Sequence, residues 1–139
     1  MTNSSLARSY LVKATKRLKV LPVLFAEQAY SDVIREAQEL VELALKGMLR
    51  QVGVEPPKWH DVSGALHEFA DRFPADARSG IDRLAEISTW LRKEREFSFY
   101  GDIDFIPTEQ YSEADARRAM TDAEHVVRVA AQVIPAPQL

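Results

Sequence analysis

The stretch VIREAQELVELALKGMLRQVG, residues 33–53, decides the fold class, because its apolar residues recur at the spacing of one helix face. They follow the i, i+3, i+4, i+7 pattern, in which residues one turn apart lie on the same side of an α-helix. Gly53 supplies a stop, since glycine readily adopts the left-handed conformation in which many helices end. The pattern predicts a long amphipathic helix that buries Val33, Ala37, Leu40, Val41, Ala44, Leu45, Met48, Leu49 and Val52.

Helical spacing continues on both sides of this stretch, and no segment shows the strict alternation of a half-buried strand. Upstream, residues 5–25 predict a first helix, in which Pro22 either introduces a kink or ends the regular part. Downstream, the rigid connector EPPK, residues 55–58, leads into a short helix that ends before Pro74. The apolar positions of that short helix are Val62, Leu66, Phe69, Ala70 and Phe73.

Two further long helices complete the predicted fold. One is expected to start near residues 75–77 and to run to about Tyr100, and an acidic loop at residues 101–111 follows it. Ser112 and Asp115 are expected to cap the last helix, which continues to about Ile134. The sequence therefore predicts an all-α protein, an up-and-down four-helix bundle with an additional short helix, in a single domain covering residues 1–139.

Composition and charge exclude several classes of function. The chain of 139 residues has no cysteine, which excludes disulfides and thiolate zinc sites and favours the cytoplasm. No apolar run approaches the roughly 20 residues that span a bilayer, so no membrane association is expected. The net charge of -3 is unevenly distributed, because residues 1–26 contain five basic residues and no acid. Such a segment can be a transit peptide, but its apolar stripe favours an ordinary core helix.

Polar residues on the second helix share one side. Arg35, Gln38, Glu39, Glu42 and Lys46 lie three or four residues apart, so they can pair along the helix. Two interpretations remain open at this point. The side is either a solvated face with salt bridges, or a polar wall that faces a cleft.

The histidines give weak signals. His60 precedes Asp61, which is expected to cap the short helix, and His60 can serve as a general base. Adjacent residues on a helix point about 100° apart, so this pair does not define a catalytic dyad. His67 and His125 lie next to apolar stripes and are expected to be structural. No spacing typical of a metal site is present, and we expect neither a metal nor a cofactor.

The segment LRKEREFSFYGD, residues 91–102, carries the clearest functional signal. Arg92 and Arg95 are three residues apart, so two guanidinium groups can stand near each other, and guanidinium geometry suits phosphate. Tyr100 can stack on a base, as aromatic residues do in single-stranded nucleic-acid sites. Phe97 and Phe99 are expected to pack in the core and at the helix end.

Taken together, residues 30–66 and 91–120 resemble a bacterial or archaeal HEPN domain, the family named for nucleotide binding in higher eukaryotes and prokaryotes. The most specific parts are the REAQE…E…K run of the second helix, the PPKWHDV connector and the ERE…FYGD helix end. The resemblance implies a helical bundle that is usually a homodimer and is often encoded beside a minimal nucleotidyltransferase in a toxin–antitoxin-like pair. Many members of the family are metal-independent endoribonucleases.

Catalytic HEPN domains carry R-x-x-x-x-H near the end of a long helix, where arginine holds the scissile phosphate and histidine acts as the base. Here Arg95 matches the arginine, but Tyr100 stands at the histidine position and Glu96 at the position of a typical asparagine. A phenol with its ordinary pKa of about 10 is protonated at neutral pH and is a poor base, although it can donate a hydrogen bond to phosphate. Losing base catalysis costs roughly 10²–10⁴-fold in rate, whereas phosphate binding does not depend on the base. We therefore favour a phosphate-binding function over RNA cleavage.

These residues and the resemblance support three candidate functions, of which the first is preferred. The first is a dimeric module that binds a nucleotide or RNA phosphate, or a partner nucleotidyltransferase, through Arg92, Arg95, Tyr100 and the polar side of the second helix, with Arg35, Glu42 and Lys46. The second is an endoribonuclease that uses Arg95 with Tyr100 or His60. The third is an interaction protein whose arginines are satisfied by Glu42, Glu96 or Asp102.

Overall fold

The computed structural model describes residues 3–58 and 61–135, apart from the side chain of Glu96. Four long helices carry the fold, namely α1 (Asn3–Leu18), α3 (Tyr30–Gln51), α6 (Ile81–Phe99) and α8 (Glu113–Val133). The connections contain the short helices α2 (Leu21–Ala26), α4 (Val62–Glu68), α5 (Ala75–Arg78) and α7 (Pro107–Gln110), and a 3-10 turn at Ala70–Arg72. The all-α prediction is confirmed, and the described residues contain one isolated β-bridge, between Asp102 and Phe105, but no strand.

Helix α3 is the central element, because it packs against α1, α6 and α8. Its predicted stripe is buried from Val33 to Leu49, and Val52 at its end packs partly buried against the same core. Removing this apolar surface from water is the main force that holds the four long helices together. The predicted amphipathic helix is therefore confirmed, and its second, polar side is left to face α6.

Small residues let α1 approach α3 closely. A side chain added at Gly47 would place its Cβ atom 3.1 Å from Ile134 Cδ1 and 3.3 Å from the Ala7 carbonyl oxygen. Ala7 and Ala14 are fully buried on the facing side of α1. The N-terminal segment is thus an integral core helix, as its stripe predicted.

The first predicted helix is divided in two by Pro22. Helix α1 ends at Leu18, Lys19 and Val20 form a turn, and Pro22 occupies the first turn of α2. Proline has no N–H group, and its ring would collide with the carbonyl of the residue four positions earlier, which is Leu18. Of the two expectations, the one in which Pro22 ends the regular helix is confirmed.

Three predicted helix ends are confirmed in detail. Gly53 has a φ of 83°, and the N–H group of Val54 donates to the Leu49 carbonyl oxygen at 2.9 Å, which is a Schellman motif. Asp61 caps α4 by accepting from the Ser63 N–H group at 3.0 Å. The predicted capping box forms at the start of α8, between Ser112 and Asp115.

Two boundaries differ from the prediction. The helix expected to start near residues 75–77 is divided into α5 and α6, because Gly80 favours helix poorly and the Ser79 hydroxyl donates to the Asp76 carbonyl oxygen at 2.8 Å. The predicted loop at residues 101–111 contains the single turn α7, which begins at Pro107, where the fixed φ of proline suits a first helical position. Within the described residues, no helix combines the length and the apolar character needed to cross a membrane.

Candidate phosphate-binding site

The polar side of α3 faces α6, and ion pairs join the two helices. Arg95 Nη2 lies 2.8 Å from Glu39 Oε1, and Arg92 Nη1 lies 3.9 Å from Glu42 Oε1. The later arginine pairs with the earlier glutamate, so α3 and α6 run antiparallel at this contact. The side chains of Arg92 and Arg95 are therefore aimed at α3 and not only at solvent.

Each glutamate also has a cationic partner on α3 itself. Arg35 Nη2 lies 3.9 Å from Glu39 Oε1, and Lys46 Nζ lies 3.3 Å from Glu42 Oε1. We call the six side chains Arg35, Glu39, Glu42, Lys46, Arg92 and Arg95 the charge cluster. Because four cations share two carboxylates, the charge cluster keeps a formal charge of +2. The polar side therefore has salt bridges within α3, as in the first interpretation, and it also pairs with a neighbouring helix.

The charge cluster opens to solvent at the Arg95 end. Arg35, Arg95, Phe99 and Tyr100 line an open cleft of about 330 Å³, which we call the arginine cleft. The Arg95 side chain is 45% exposed and Tyr100 is 76% exposed, so both are accessible to a ligand in the cleft. Among the described residues, the Tyr100 hydroxyl has no hydrogen-bond partner.

Phe99 lies in the wall of the arginine cleft and is 46% exposed, so its expected helix-end packing is incomplete. The Arg35 guanidinium carbon lies 4.0 Å from the centre of the Phe99 ring, which is a cation–π contact. The Phe99 and Tyr100 rings meet edge to face with their centres 4.8 Å apart. Phe97 is 43% exposed and packs on Phe105, so both phenylalanines pack at the helix end, as expected in part, but neither is buried in the core.

At the Glu42 end of the charge cluster, the space between α3 and α6 is filled. Gln38 is 4% exposed, and its Nε2 atom donates to Glu42 Oε2 at 3.0 Å, while its Oε1 atom has no partner among the described residues. The space enclosed by Gln38, Glu42 and Arg92 leaves no room for a water molecule. Arg92 is itself 39% exposed but lies beside this filled space with Glu42, whereas Arg35, Arg95 and Tyr100 line the open cleft.

The residues after α6 fold back and fix the end of the cleft. Gly101 has a φ of 71°, and a Cβ atom there would collide with the Phe105 carbonyl oxygen and lie 2.6 Å from Pro107 Cδ. Asp102 and Phe105 exchange two backbone hydrogen bonds of 2.9 Å. Glycine is required because only glycine adopts this conformation freely in so little space. The chain therefore turns immediately after Tyr100 and leaves that phenol exposed.

A row of aromatic rings anchors this turn to α6. The Phe105 ring lies 5.3 Å from the Phe97 ring and 5.6 Å from the Tyr111 ring. The Tyr111 hydroxyl donates to Glu94 Oε2 at 3.0 Å. Burial, reinforced by the neighbouring Glu94 carboxylate, raises the pKa of Tyr111 far above its ordinary value, so this phenol remains a donor. Glu94 is thereby directed away from the arginine cleft.

The two histidines that the structure describes, His67 and His125, are not part of the charge cluster. His60 lies outside the described residues, as does the side chain of Glu96. His67 Nδ1 lies 3.6 Å from Asp82 Oδ1, and both residues line a separate cleft between α4 and α6. His125 lies on α8, and burial lowers its pKa. No group of three or more metal-binding side chains occurs in residues 3–58 and 61–135.

Two residues of the site were not among the predicted site residues. Glu39 pairs with both guanidinium groups of the cleft, and its position four residues after Arg35 was the available signal. Phe99 supports Arg35, and its position four residues after Arg95 places it on the same side of α6. Of the carboxylates expected to satisfy these arginines, Glu42 lies 3.9 Å from Arg92, whereas Arg95 pairs with Glu39. The side chain of Glu96 lies outside the described part of the chain.

The helical bundle and the arginine-lined end of α6 define a HEPN-type protein, and the HEPN domain family model matches residues 7–133. The chain belongs to the HEPN domain family. It is 25% identical over 134 residues to a protein of Methanocaldococcus jannaschii named "Putative toxin MJ1304", and the match covers 91% of this chain and 87% of that protein. No solved structure matches the chain significantly.

Proposed function

We propose that this HEPN domain binds a phosphate group of a nucleotide or of RNA in the arginine cleft. The observation that carries the proposal is that Arg35 and Arg95 share one carboxylate, Glu39, at the edge of an open cleft. Among the side chains that the structure describes, this one carboxylate balances only one of the two positive charges. A phosphate entering the cleft supplies the missing negative charge, and guanidinium groups bind phosphate in a bidentate manner.

The exposed side chains of the cleft make different contacts with the ligand. Arg95 is the principal phosphate ligand, because it is the more exposed of the two arginines that line the cleft. The free Tyr100 hydroxyl donates a hydrogen bond to a phosphate oxygen, and its ring offers a face for base stacking, which is worth about 1–3 kcal/mol per base in single-strand sites. Arg92, Glu42 and Lys46 hold the register of α3 and α6 behind the cleft.

An Arg95→Ala substitution tests the proposal. We expect the affinity for a fluorescein-labelled single-stranded RNA of six nucleotides, measured by anisotropy at 50 mM salt, to fall about tenfold or more, since a charge-assisted hydrogen bond is worth about 1.5–3 kcal/mol. Arg117→Ala is the matched control, because Arg117 is an exposed arginine on α8 with a 2.9 Å ion pair to Glu113. Equal affinity of the Arg95→Ala variant and the wild type, or no binding by either, would refute phosphate binding at this site.

Endoribonuclease activity is the second candidate. Tyr100 and Arg95 line one cleft, and the relative from Methanocaldococcus jannaschii carries the name "Putative toxin MJ1304". In this reaction Arg95 would hold the scissile phosphate and Tyr100 or His60 would take the proton of the 2′-hydroxyl. The expected signature is RNA cleavage in the presence of a chelator that leaves a cyclic phosphate and is lost in Arg95→Ala. If the protein cleaves none of a diverse set of RNAs under these conditions, the endoribonuclease function is refuted and phosphate binding stays as the proposed function.

We further propose that the domain forms a homodimer in which the end of α6 lies near the two-fold axis. Phe97, Phe99, Tyr100, Ile103 and Ile106 are exposed apolar or aromatic side chains close together in sequence at this end. Such a concentration is typical of interaction surfaces. Light scattering at micromolar concentration tests the dimer, and a monomeric mass would contradict it.

A minimal nucleotidyltransferase is the proposed heterologous partner, by resemblance to toxin–antitoxin-like pairs. Co-expression with a nucleotidyltransferase encoded in the adjacent reading frame should give a stable complex on size-exclusion chromatography. If the domain binds such a partner but neither nucleotide nor RNA, the plain interaction protein is the correct function.

A further inference from the structure

The basic N-terminal segment forms a ridge that the arginine cleft does not use. Lys13, Lys16, Arg17 and Lys19, which we call the basic ridge, are all exposed on α1 and on the turn that follows it. No acidic residue occurs before Glu27, whereas the whole chain has a net charge of -3. This segment therefore carries a net positive charge in a chain that is acidic as a whole, and the core function of α1 does not account for it.

The three lysines of the basic ridge form no ion pair with any residue that the structure describes. Arg17 Nη1 pairs with Glu36 Oε1 at 2.8 Å, but no carboxylate of the described residues lies within 4.0 Å of the ammonium groups of Lys13, Lys16 or Lys19. Unpaired cations on one face attract a polyanion, and their counterions are released when it binds.

A second groove connects the basic ridge to the arginine cleft. This side groove of about 520 Å³ lies between α1, α2, α3 and the end of α6, and its lining includes Arg17, Val20, Arg35 and Phe99. Arg35 and Phe99 also line the arginine cleft, so the two openings meet at this stacked pair. Lys13 and Lys16 lie one helical turn before Arg17 and Val20, which places them where the groove meets the outer surface of α1.

We propose that the basic ridge is a second phosphate-binding surface, which holds the continuation of an RNA strand whose one phosphate lies in the arginine cleft. This inference rests on the proposed function and extends it to a second place on the molecule. The strand leaves the cleft at the Arg35–Phe99 pair, follows the side groove past Arg17 and contacts the three lysines. A mononucleotide or a dinucleotide fills the arginine cleft alone and does not reach the basic ridge.

The carboxylates in the side groove set the path of the strand. Glu36 and Glu39 are neutralised by Arg17 and Arg95, whereas Asp32 in the first turn of α3 has no cationic partner among the described residues. Its charge repels phosphate, so the strand follows the α1 side of the groove, where no acid is present.

The test compares RNA length and salt dependence in two triple variants. One replaces Lys13, Lys16 and Lys19 by alanine. The matched control replaces three exposed cations elsewhere, Lys58, Arg83 and Arg128, and so changes the net charge by the same amount. Each is titrated with single-stranded RNA of 2 and of about 12 nucleotides, at several salt concentrations. The first variant should bind the longer RNA about tenfold more weakly, with a slope of log affinity against log salt that is smaller by about 2, because each phosphate contact contributes about 0.7.

The outcomes separate this inference from the proposed function. The dinucleotide should bind both triple variants as it binds the wild type. If the first triple variant keeps the wild-type affinity and slope for the longer RNA while Arg95→Ala still weakens binding, the basic ridge is not a phosphate site and the arginine cleft stands. If Arg95→Ala has no effect on either RNA, the proposed phosphate-binding function fails. The inference fails with it, because the ridge then does not continue a strand held in the arginine cleft.

A third measurement uses vesicles that contain anionic lipid, because Val12, Val20 and Val23 are exposed apolar residues close in sequence to the basic ridge. Binding to vesicles but not to RNA, lost when the three lysines are replaced, would identify a membrane-binding surface and overturn the inference.

Discussion

A Glu39→Gln substitution should strengthen phosphate binding, in contrast to the usual effect of changing a residue in a binding site. Glu39 neutralises part of the charge of Arg35 and Arg95, with its Oε1 atom 2.8 Å from Arg95 Nη2. Glutamine keeps the size of the side chain and an acceptor oxygen, but it removes the negative charge. Both guanidinium groups then become available to the ligand.

The expected gain follows from Coulomb's law. A phosphate oxygen on the far side of the Arg95 guanidinium lies about 6 Å from the carboxylate, so the repulsion removed is about 0.7 kcal/mol in water and about 2.8 kcal/mol at an effective dielectric constant of 20. The Arg95 and Glu39 side chains are 45% and 30% exposed, which favours the lower value. We therefore expect about a threefold to tenfold gain in affinity. The free energy of unfolding should change by less than about 1 kcal/mol, as is usual for exposed ion pairs.

Anisotropy titration with the six-nucleotide RNA at 50 mM salt measures the gain, and urea denaturation measures the stability. Glu113→Gln is the control, because it removes a carboxylate from a comparable 2.9 Å ion pair with Arg117, on α8. The gain should disappear at high salt, since screening weakens the repulsion. Unchanged or weaker binding by Glu39→Gln, with Glu113→Gln at the wild-type value, would refute the argument that Glu39 limits the positive charge of the cleft.

Three further predictions concern stability. Gly101→Ala should lower the free energy of unfolding by about 1–3 kcal/mol, because alanine is strained at positive φ and its Cβ atom collides with the Phe105 carbonyl; urea denaturation would show this, and an unchanged midpoint would contradict it. Gly47→Leu should cost about 1–3 kcal/mol or more by forcing α1 and Ile134 away from α3, whereas little change in thermal midpoint would mean that this contact relaxes easily. Burial, with adjacent cations, lowers the pKa of His125 in the folded state, so the unfolded state binds more protons below about pH 6.5 and stability should fall as the pH decreases from there. His125→Gln should make stability less dependent on pH between about 5 and 6.5, and an identical pH profile would refute the assignment.

The sequence predicts most of the helical architecture because periodicity and capping are local properties. The α3 stripe, the stop at Gly53 and the capping box at Ser112 depend on residues within one or two turns of each other. The divided first helix was one of two stated alternatives, since Pro22 alone does not decide between a kink and an end. The break at Gly80 depends on a side-chain hydrogen bond from Ser79, which competes with the helix and leaves no periodic signal.

The site was predictable only in part, because it depends on contacts between distant segments. Arg95 and Tyr100 were identified from the basic and aromatic residues of the segment 91–102 and then matched to the motif of the HEPN domains, and Arg35 was identified from its place on the polar side of α3. The pairing of Glu39 with Arg95 joins residues 56 positions apart, and no spacing along one helix indicates it. The exposure of Phe99 likewise depends on how far α6 extends beyond the neighbouring helices, which the sequence pattern does not record.

The ion pairs between α3 and α6 also determine how these helices align. Glutamates three residues apart face arginines three residues apart in the opposite direction. Sliding α6 by one turn, about 5.4 Å, toward the C-terminal end of α3 would move Arg92 from Glu42 to Lys46 and bring two positive charges together. Exposed pairs of this kind add little stability, but they penalise misaligned packing of two helices whose apolar stripes alone would tolerate a shift. The ion pairs of the charge cluster therefore also select one alignment of the bundle.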